Sequence, residues 1–165
     1  MKSLVWLRND LRMDDNPALK HACLNSDEVH CLYLYQPNQM KLHNVANCKI
    51  EFIFENLKDL ESSLNKLNIP LTVLPSRLFD DSPSDIINIV NERSINKVYW
   101  NNQFGIDEQK RDLAVKEILD KNKVAYESFD DQVVYSPGTI KTMENKPYSV
   151  FTPFKRRWVE NFNID

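Results

Sequence analysis

Five short apolar runs punctuate the chain: LVWL at 4–7, VHCLYLY at 29–35, LTVL at 71–74, KVYW at 97–100 and VAYESF at 124–129. Each gap between successive runs carries helical spacing or a helix-start signal. Asn16-Pro17 joins an N-cap side chain to a proline at the first helical position, where its missing N–H is not needed. Between Asn47 and Leu67, the residues Ile50, Ile53, Phe54, Leu57, Leu60, Leu64 and Leu67 step by three or four and make one apolar stripe. Ser82-Pro83-Ser84-Asp85 is a capped start ahead of Ile86, Ile87, Ile89 and Val90, and Asp107 is the expected N-cap of a helix reaching Lys121. Strands alternating with helices require parallel neighbours joined by right-handed crossovers. The expected fold class over residues 1–130 is therefore α/β: a doubly wound, five-stranded parallel sheet with helices on both faces, Rossmann-like.

After Phe129 the alternation stops. Residues 131–165 hold three of the eight prolines and one of the two glycines. FTPFKRRWVENF, at 151–162, begins an amphipathic helix that has no partner in the pattern. An extended connector is expected here, either wrapping the domain's own surface or leading to a further domain.

The chain of 165 residues is 42% apolar and 27% charged, as expected of one soluble globular domain. Its net charge of −3 supplies no overall basic field to draw in DNA. Cys23, Cys31 and Cys48 form no CxxC and read as small buried hydrophobes in a reducing compartment. The N-terminal apolar run is too short for a signal peptide, and no run approaches the ~20 residues of a membrane span. A cytoplasmic location without a membrane partner is the expectation.

Open parallel sheets bind ligands beyond the carboxyl ends of their strands, near the reversal of strand order. That directs attention to the loops at 8–15, 36–47, 75–81 and 101–107. No GxGxxG, GxxxxGK[ST] or GxSxG occurs, which argues against a nicotinamide dehydrogenase, a P-loop NTPase and an α/β-hydrolase. With only two glycines, the chain has few places for close backbone approach to a pyrophosphate. Zinc motifs are absent, so no metal is expected, and His21, His30 and His43 are too dispersed to suggest a catalytic triad. Three features remain. Arg8, Asp10 and Arg12 in RNDLR either bind an anion or pair with one another. Asp107 and Glu108 either complement a helix dipole, or Glu108 accepts two N–H groups from a planar heterocycle such as a pterin. His43-Asn44 is either a solvated loop pair or a ligand contact.

Five stretches, in order and spanning 1–165, resemble the N-terminal domain of the DNA photolyase/cryptochrome family: VWLRNDLRMDDNPAL, LYLYQP with LHN, VYWNNQFGIDEQKRD, FDDQVVYSPG and PYSVFTPFKRRW. The resemblance implies an antenna domain that holds a light-harvesting chromophore and passes excitation to FAD. The flavin would sit in a helical domain absent from these 165 residues, and 131–165 would be the connector and the start of that domain. The whole protein would be a deoxyribodipyrimidine photolyase, repairing cyclobutane pyrimidine dimers and meeting damaged DNA through the helical domain. It would need no obligate protein partner, and these residues alone would carry no catalytic group. Asp107 and Glu108, ahead of Arg111-Asp112, resemble the folate-type members, as do His43 and Asn44. Asp107 stands where those members carry asparagine. The resemblance thus favours 5,10-methenyltetrahydrofolate over 8-hydroxydeazaflavin. It further implies that Arg8, Asp10 and Arg12 pair with each other and with the connector as an interdomain scaffold, and that weak folate binding and an exposed apolar patch near YSVFTPF characterise the isolated segment.

Two other readings stay open on sequence. A cryptochrome-type light sensor would share this domain. A free-standing small-ligand-binding module would not need a second one.

Overall fold

The computed structural model describes residues 1–162. It divides into two compact units, 1–131 and 132–165. In the first, β1 (Lys2–Leu7), β2 (Glu28–Tyr35), β3 (Leu71–Pro75), β4 (Lys97–Asn101) and β5 (Ala125–Phe129) form one sheet of order β3-β2-β1-β4-β5. Every pairing is parallel, with Val5 opposite Cys31 on one side and Tyr99 on the other.

Successive side chains of β1 point to opposite faces. Val5 and Leu7 meet α1 (Pro17–Asn25) and α3 (Asn47–Asn65) through Ala18, Leu19, Ala22, Leu57, Leu60 and Leu64. Leu4 and Trp6 meet α4 (Ser82–Arg93) and α5 (Ile106–Lys121) through Ile86, Ile89, Val90, Val115 and Leu119. Full burial stabilises each large aliphatic side chain by about 1.5–3 kcal/mol. The two apolar layers, rather than helix propensity, hold the helices on the sheet. This is the doubly wound α/β architecture expected from the alternation.

Several local expectations need correction. The helix α5 begins at Ile106 with Gly105 as its N-cap, so Asp107 lies inside the first turn and does not cap it. Ser82 likewise sits inside α4, behind Asp81, and its buried hydroxyl receives Gln36 Nε2 at 3.0 Å. The stripe of α3 ends at Leu64; Leu67 is exposed because the helix stops at Asn65 and Asn68 takes a left-handed turn. Only Cys31 is buried, whereas Cys23 and Cys48 lie on the outer sides of their helices. A short helix, α2 (Pro37–Leu42), occupies the loop after β2 and was not expected.

The second unit carries α6 (Phe151–Asn161), none of whose side chains is buried. Tyr135 meets Trp158 edge-on at 5.6 Å, and Trp158 stacks on Phe162 at 5.0 Å. Val150 and Phe151 are exposed, as expected of YSVFTPF. Residues 163–165, the end of the expected connector, lie outside the described residues. Among the described residues no helix is long and apolar enough to cross a membrane.

Candidate functional site

The chain leaves β1 toward β2 on one side of the sheet and returns through β4 on the other. Loops that depart in opposite directions leave a crevice between them, the usual ligand position in such sheets. A cleft of about 160 Å³ opens there. Trp6 and Arg8 line it from β1 and its exit, Gln39 and His43 from α2 and its end, and Gln103, Glu108 and Arg111 from β4's exit and α5. Phe79 closes it from a single 3-10 turn, Phe79–Asp81. An engineered cavity of ~150 Å³ holds a benzene ring, so this volume suits a small ring system and not a whole elongated ligand.

The floor is a buried ionic cluster. Arg8 and Arg111 share one carboxylate, Asp112: Arg8 Nη1 lies 3.0 Å from Oδ1, and Arg111 Nε and Nη2 lie 3.0 and 2.8 Å from it. Both guanidiniums sit over the Trp6 ring, at 4.5 and 4.7 Å from its centre. Burial pushes the Arg8 pKa down to about 10, with Asp112 opposing the shift and Arg111 adding to it. Arg8 therefore remains protonated at neutral pH, held by the carboxylate and the ring face. Arg8 Nη2 also donates to the Asn101 carbonyl.

The sequence model of the DNA photolyase family matches residues 3–165. The chain belongs to the DNA photolyase family. It is 36% identical to the deoxyribodipyrimidine photo-lyase of Salmonella typhimurium over 163 residues and 37% identical to that of Escherichia coli over 158. These matches cover 98% and 95% of the chain but 34% and 33% of those proteins. A class III photolyase from Agrobacterium tumefaciens superposes with a TM-score of 0.77 at 26% identity, over 98% of this chain and 32% of that one. The chain thus spans about a third of the length of the curated relatives it matches.

Within this photolyase-family domain, Glu108 and His43 line the same cleft although 65 positions separate them in sequence. Glu108 occupies the first turn of α5, and its carboxylate folds over Gly105. A Cβ on Gly105 would stand 2.0 Å from Glu108 Oε2, so the glycine provides room and not an unusual backbone angle. His43 meets Phe79 edge-on at 5.6 Å. The backbone N–H of Phe79 donates to Gln39 Oε1, which turns the amide NH₂ of Gln39 to His43 Nε2 at 2.9 Å. Asp107 and Asn44 do not line the cleft. Asp107 lies at the rim, 3.5 Å from His43 Nε2 and 3.7 Å from Lys110, and Asn44 forms the left-handed turn that ends α2.

The expected mutual pairing of Arg8, Asp10 and Arg12 side chains does not form. Arg8 reaches across to α5, where a buried carboxylate accepts two bonds. Asp10 receives the Arg8 backbone N–H at 2.8 Å and Asn101 Nδ2 at 2.6 Å. Arg12 turns to Asp131 at 2.6 Å and to the carbonyls of Asp14 and Asp15. For Arg8, acceptors on β4 and α5, the Asn101 carbonyl and the Asp112 carboxylate, replace local partners on the loop. The photolyase-domain residues that sequence reasoning missed are Trp6, Gln103 and the Arg111-Asp112 pair as site components. Their signal was present: Arg111 and Asp112 lie three and four residues after Glu108, hence on its helix face.

Proposed function

We propose that the cleft holds the light-harvesting chromophore of a deoxyribodipyrimidine photolyase. When bound, that pigment absorbs light and passes excitation to FAD held elsewhere in the protein. Residues 1–130 are the chromophore domain, and 131–165 are the connector and start of a helical FAD-binding domain. Damaged DNA binds through that domain, and light-driven dimer repair takes place there, in the cytoplasm.

The observation that carries this reading is the meeting of Glu108 with His43 in one cleft at the reversal of strand order. Glu108 offers acceptors for the amine and ring N–H groups of a pterin, His43 flanks the opening, and Asp107 and Asn44 shape its rim. The volume fits the pterin ring, leaving the rest of a folate outside. Family membership over residues 3–165 supports a flavin and an antenna pigment as the cofactors, and the Asp107-Glu108 pattern supports 5,10-methenyltetrahydrofolate over 8-hydroxydeazaflavin. Arg8 lies in the floor of the site with Asp10 behind it, and Arg12 fastens the loop after β1 to Asp131 at the start of the connector.

The test is the near-ultraviolet spectrum of the full-length gene product after reconstitution with the folate. A folate band on the wild type that Glu108→Ala removes, with flavin retained, supports the reading. A wild type that takes up no folate, or a variant that keeps it unchanged, overturns it.

A further inference from the structure

His43 stands between a donor and an acceptor at the rim of the cleft. Its Nε2 lies 2.9 Å from the Gln39 amide nitrogen, one turn back in sequence, and 3.5 Å from Asp107 Oδ2 in the first turn of α5. A bare ring nitrogen only accepts, so it suits Gln39; a protonated one only donates, so it suits Asp107. No single state of that nitrogen satisfies both neighbours. Nor does the Gln39 amide turn over freely. Its oxygen accepts the Phe79 backbone N–H at 3.2 Å, and a flip would set two donors against each other there.

Gln39 also fixes where α2 sits. No side chain of that helix is buried. Gln39 ties it to the 3-10 turn and the residues before it through two bonds, its oxygen to Phe79 and its backbone N–H to the Arg77 carbonyl at 3.2 Å. Phe79 is a wall of the cleft and meets His43 edge-on.

Charged groups approach this corner from several elements. Asp107, Glu108, Lys110 and Arg111 come from α5, and Lys110 lies 3.7 Å from Asp107 Oδ1, which leaves Oδ2 to His43. Lys49 lines the same cleft from α3, Asp80 and Asp81 belong to the turn that carries Phe79, and Lys41 belongs to α2 itself. Among the described residues only Asp107 is within ion-pair distance of the ring. The side chains are 34% exposed for His43 and 56% for Asp107, so water moderates their attraction.

We propose that His43 is a proton-operated switch at the rim: bare at Nε2 it accepts from Gln39, and protonated it turns to Asp107 and ties α2 to α5. Proton uptake thus exchanges a bond along one wall of the cleft for a bond between two walls. Histidine changes charge between about pH 5 and 8, so the switch operates around neutrality. It does not depend on which ligand the cleft takes.

The experiment is an NMR titration of the isotope-labelled chain from about pH 8 to about pH 5, with no ligand added. At the upper end the His43 ring nitrogens should report a bare Nε2. On acidification the Gln39 side-chain NH₂ and the Phe79 backbone N–H should shift with the same midpoint as the ring. Two variants should move that midpoint in opposite directions. Asp107→Asn removes the charge of the acceptor and should lower the proton affinity of the ring. Gln39→Met removes the opposing donor and should raise it. Each change is expected to be about two- to fivefold, the scale of one exposed pair. A proton on Nε2 at the upper end, or one midpoint shared by the wild type and both variants, overturns the proposal. If a variant does not fold, the other variant and the wild-type ring nitrogens decide.

Discussion

Arg8 and Asp112, 104 residues apart in sequence, meet through Arg8 Nη1 at 3.0 and 3.3 Å from the two carboxylate oxygens. The contact joins the exit of β1 to the first turns of α5, on either side of the cleft. Arg8 is 6% exposed, so neither charge is relieved by water. The charged exit of the first strand is thus an internal brace for the floor of the site.

Removing the carboxylate while keeping its shape tests that brace. Asp112→Asn leaves two buried guanidiniums facing each other beside Trp6 with no anion between them. The expected loss is about 3–5 kcal/mol, the usual cost of breaking one partner out of a buried pair. Urea denaturation followed by circular dichroism measures it. Glu28→Gln, which removes an exposed partner of Lys2, is the control and should leave the midpoint unmoved.

Asn101 ties three segments together. Its Nδ2 donates to Asp10 at 2.6 Å and to Asn16 at 2.8 Å, and its Oδ1 accepts the backbone N–H of Ala18 at 3.1 Å. Asn16 is itself the cap of α1, accepting from Leu19 at 3.1 Å. Asn101→Ala strands buried polar groups on both strand exits, for an expected cost of roughly 2–4 kcal/mol. Amide exchange at Ala18 should quicken more than exchange in β2. A uniform change across the sheet would contradict this local role.

Much of this was legible in the sequence, and the reason for the rest is physical. LVWL and KVYW read as strands because burial on both faces makes continuous apolar runs, and Asn16-Pro17 read as a cap because its chemistry is local. The helix α2 was not legible: six residues are too few to show a period. Asp107 reads as a cap by residue type, but the helix starts two residues earlier, capped at Gly105, which leaves the acid free to face His43. Glu108 was legible as an acid beyond the fourth strand, and the resemblance added to that reading, while its meeting with His43 depended on the strand order. The partner of Arg8 had no local mark at all. A charge 104 positions away becomes the best acceptor only after β1 and β4 have paired.

Alkaline pH should weaken the fold from about pH 9. Burial raises the Cys31 thiol from 9.0 to about 12 and the Tyr33 phenol from 10.0 to about 12, and it shifts Cys23 in the same direction. Each group is neutral when protonated. Above its unfolded pKa the native state keeps a proton that the unfolded chain releases, so stability falls as pH rises. Arg8 has the opposite sign, because its folded pKa of about 10 lies below the ordinary 12.5 and its effect begins only above pH 10. Between pH 9 and 10 the thiols therefore dominate. Urea midpoints at pH 8, 9 and 10 should drop for the wild type and stay nearly level for Cys31→Ala, even though that variant is less stable at neutral pH. Parallel slopes would show that Cys31 is not responsible.

Gly105 separates the integrity of the fold from the shape of the site. Its φ of −65° and ψ of 150° suit any residue, so Gly105→Ala imposes no backbone strain. The new Cβ would, however, fall 2.0 Å from Glu108 Oε2 and 2.9 Å from its Cδ, far inside contact distance. The carboxylate is the far end of a flexible side chain, so it swings away at little cost and the helix survives. Denaturation midpoints for Gly105→Ala should therefore match the wild type within about 0.5 kcal/mol, as for ordinary surface substitutions. Binding of 6-methylpterin should weaken about tenfold, because the acceptor for its N–H groups has moved. Glu108→Gln, which stays in place but loses its charge, should weaken binding without the steric displacement. If Gly105→Ala binds the probe as tightly as the wild type, Glu108 does not hold the ring where the cleft presents it.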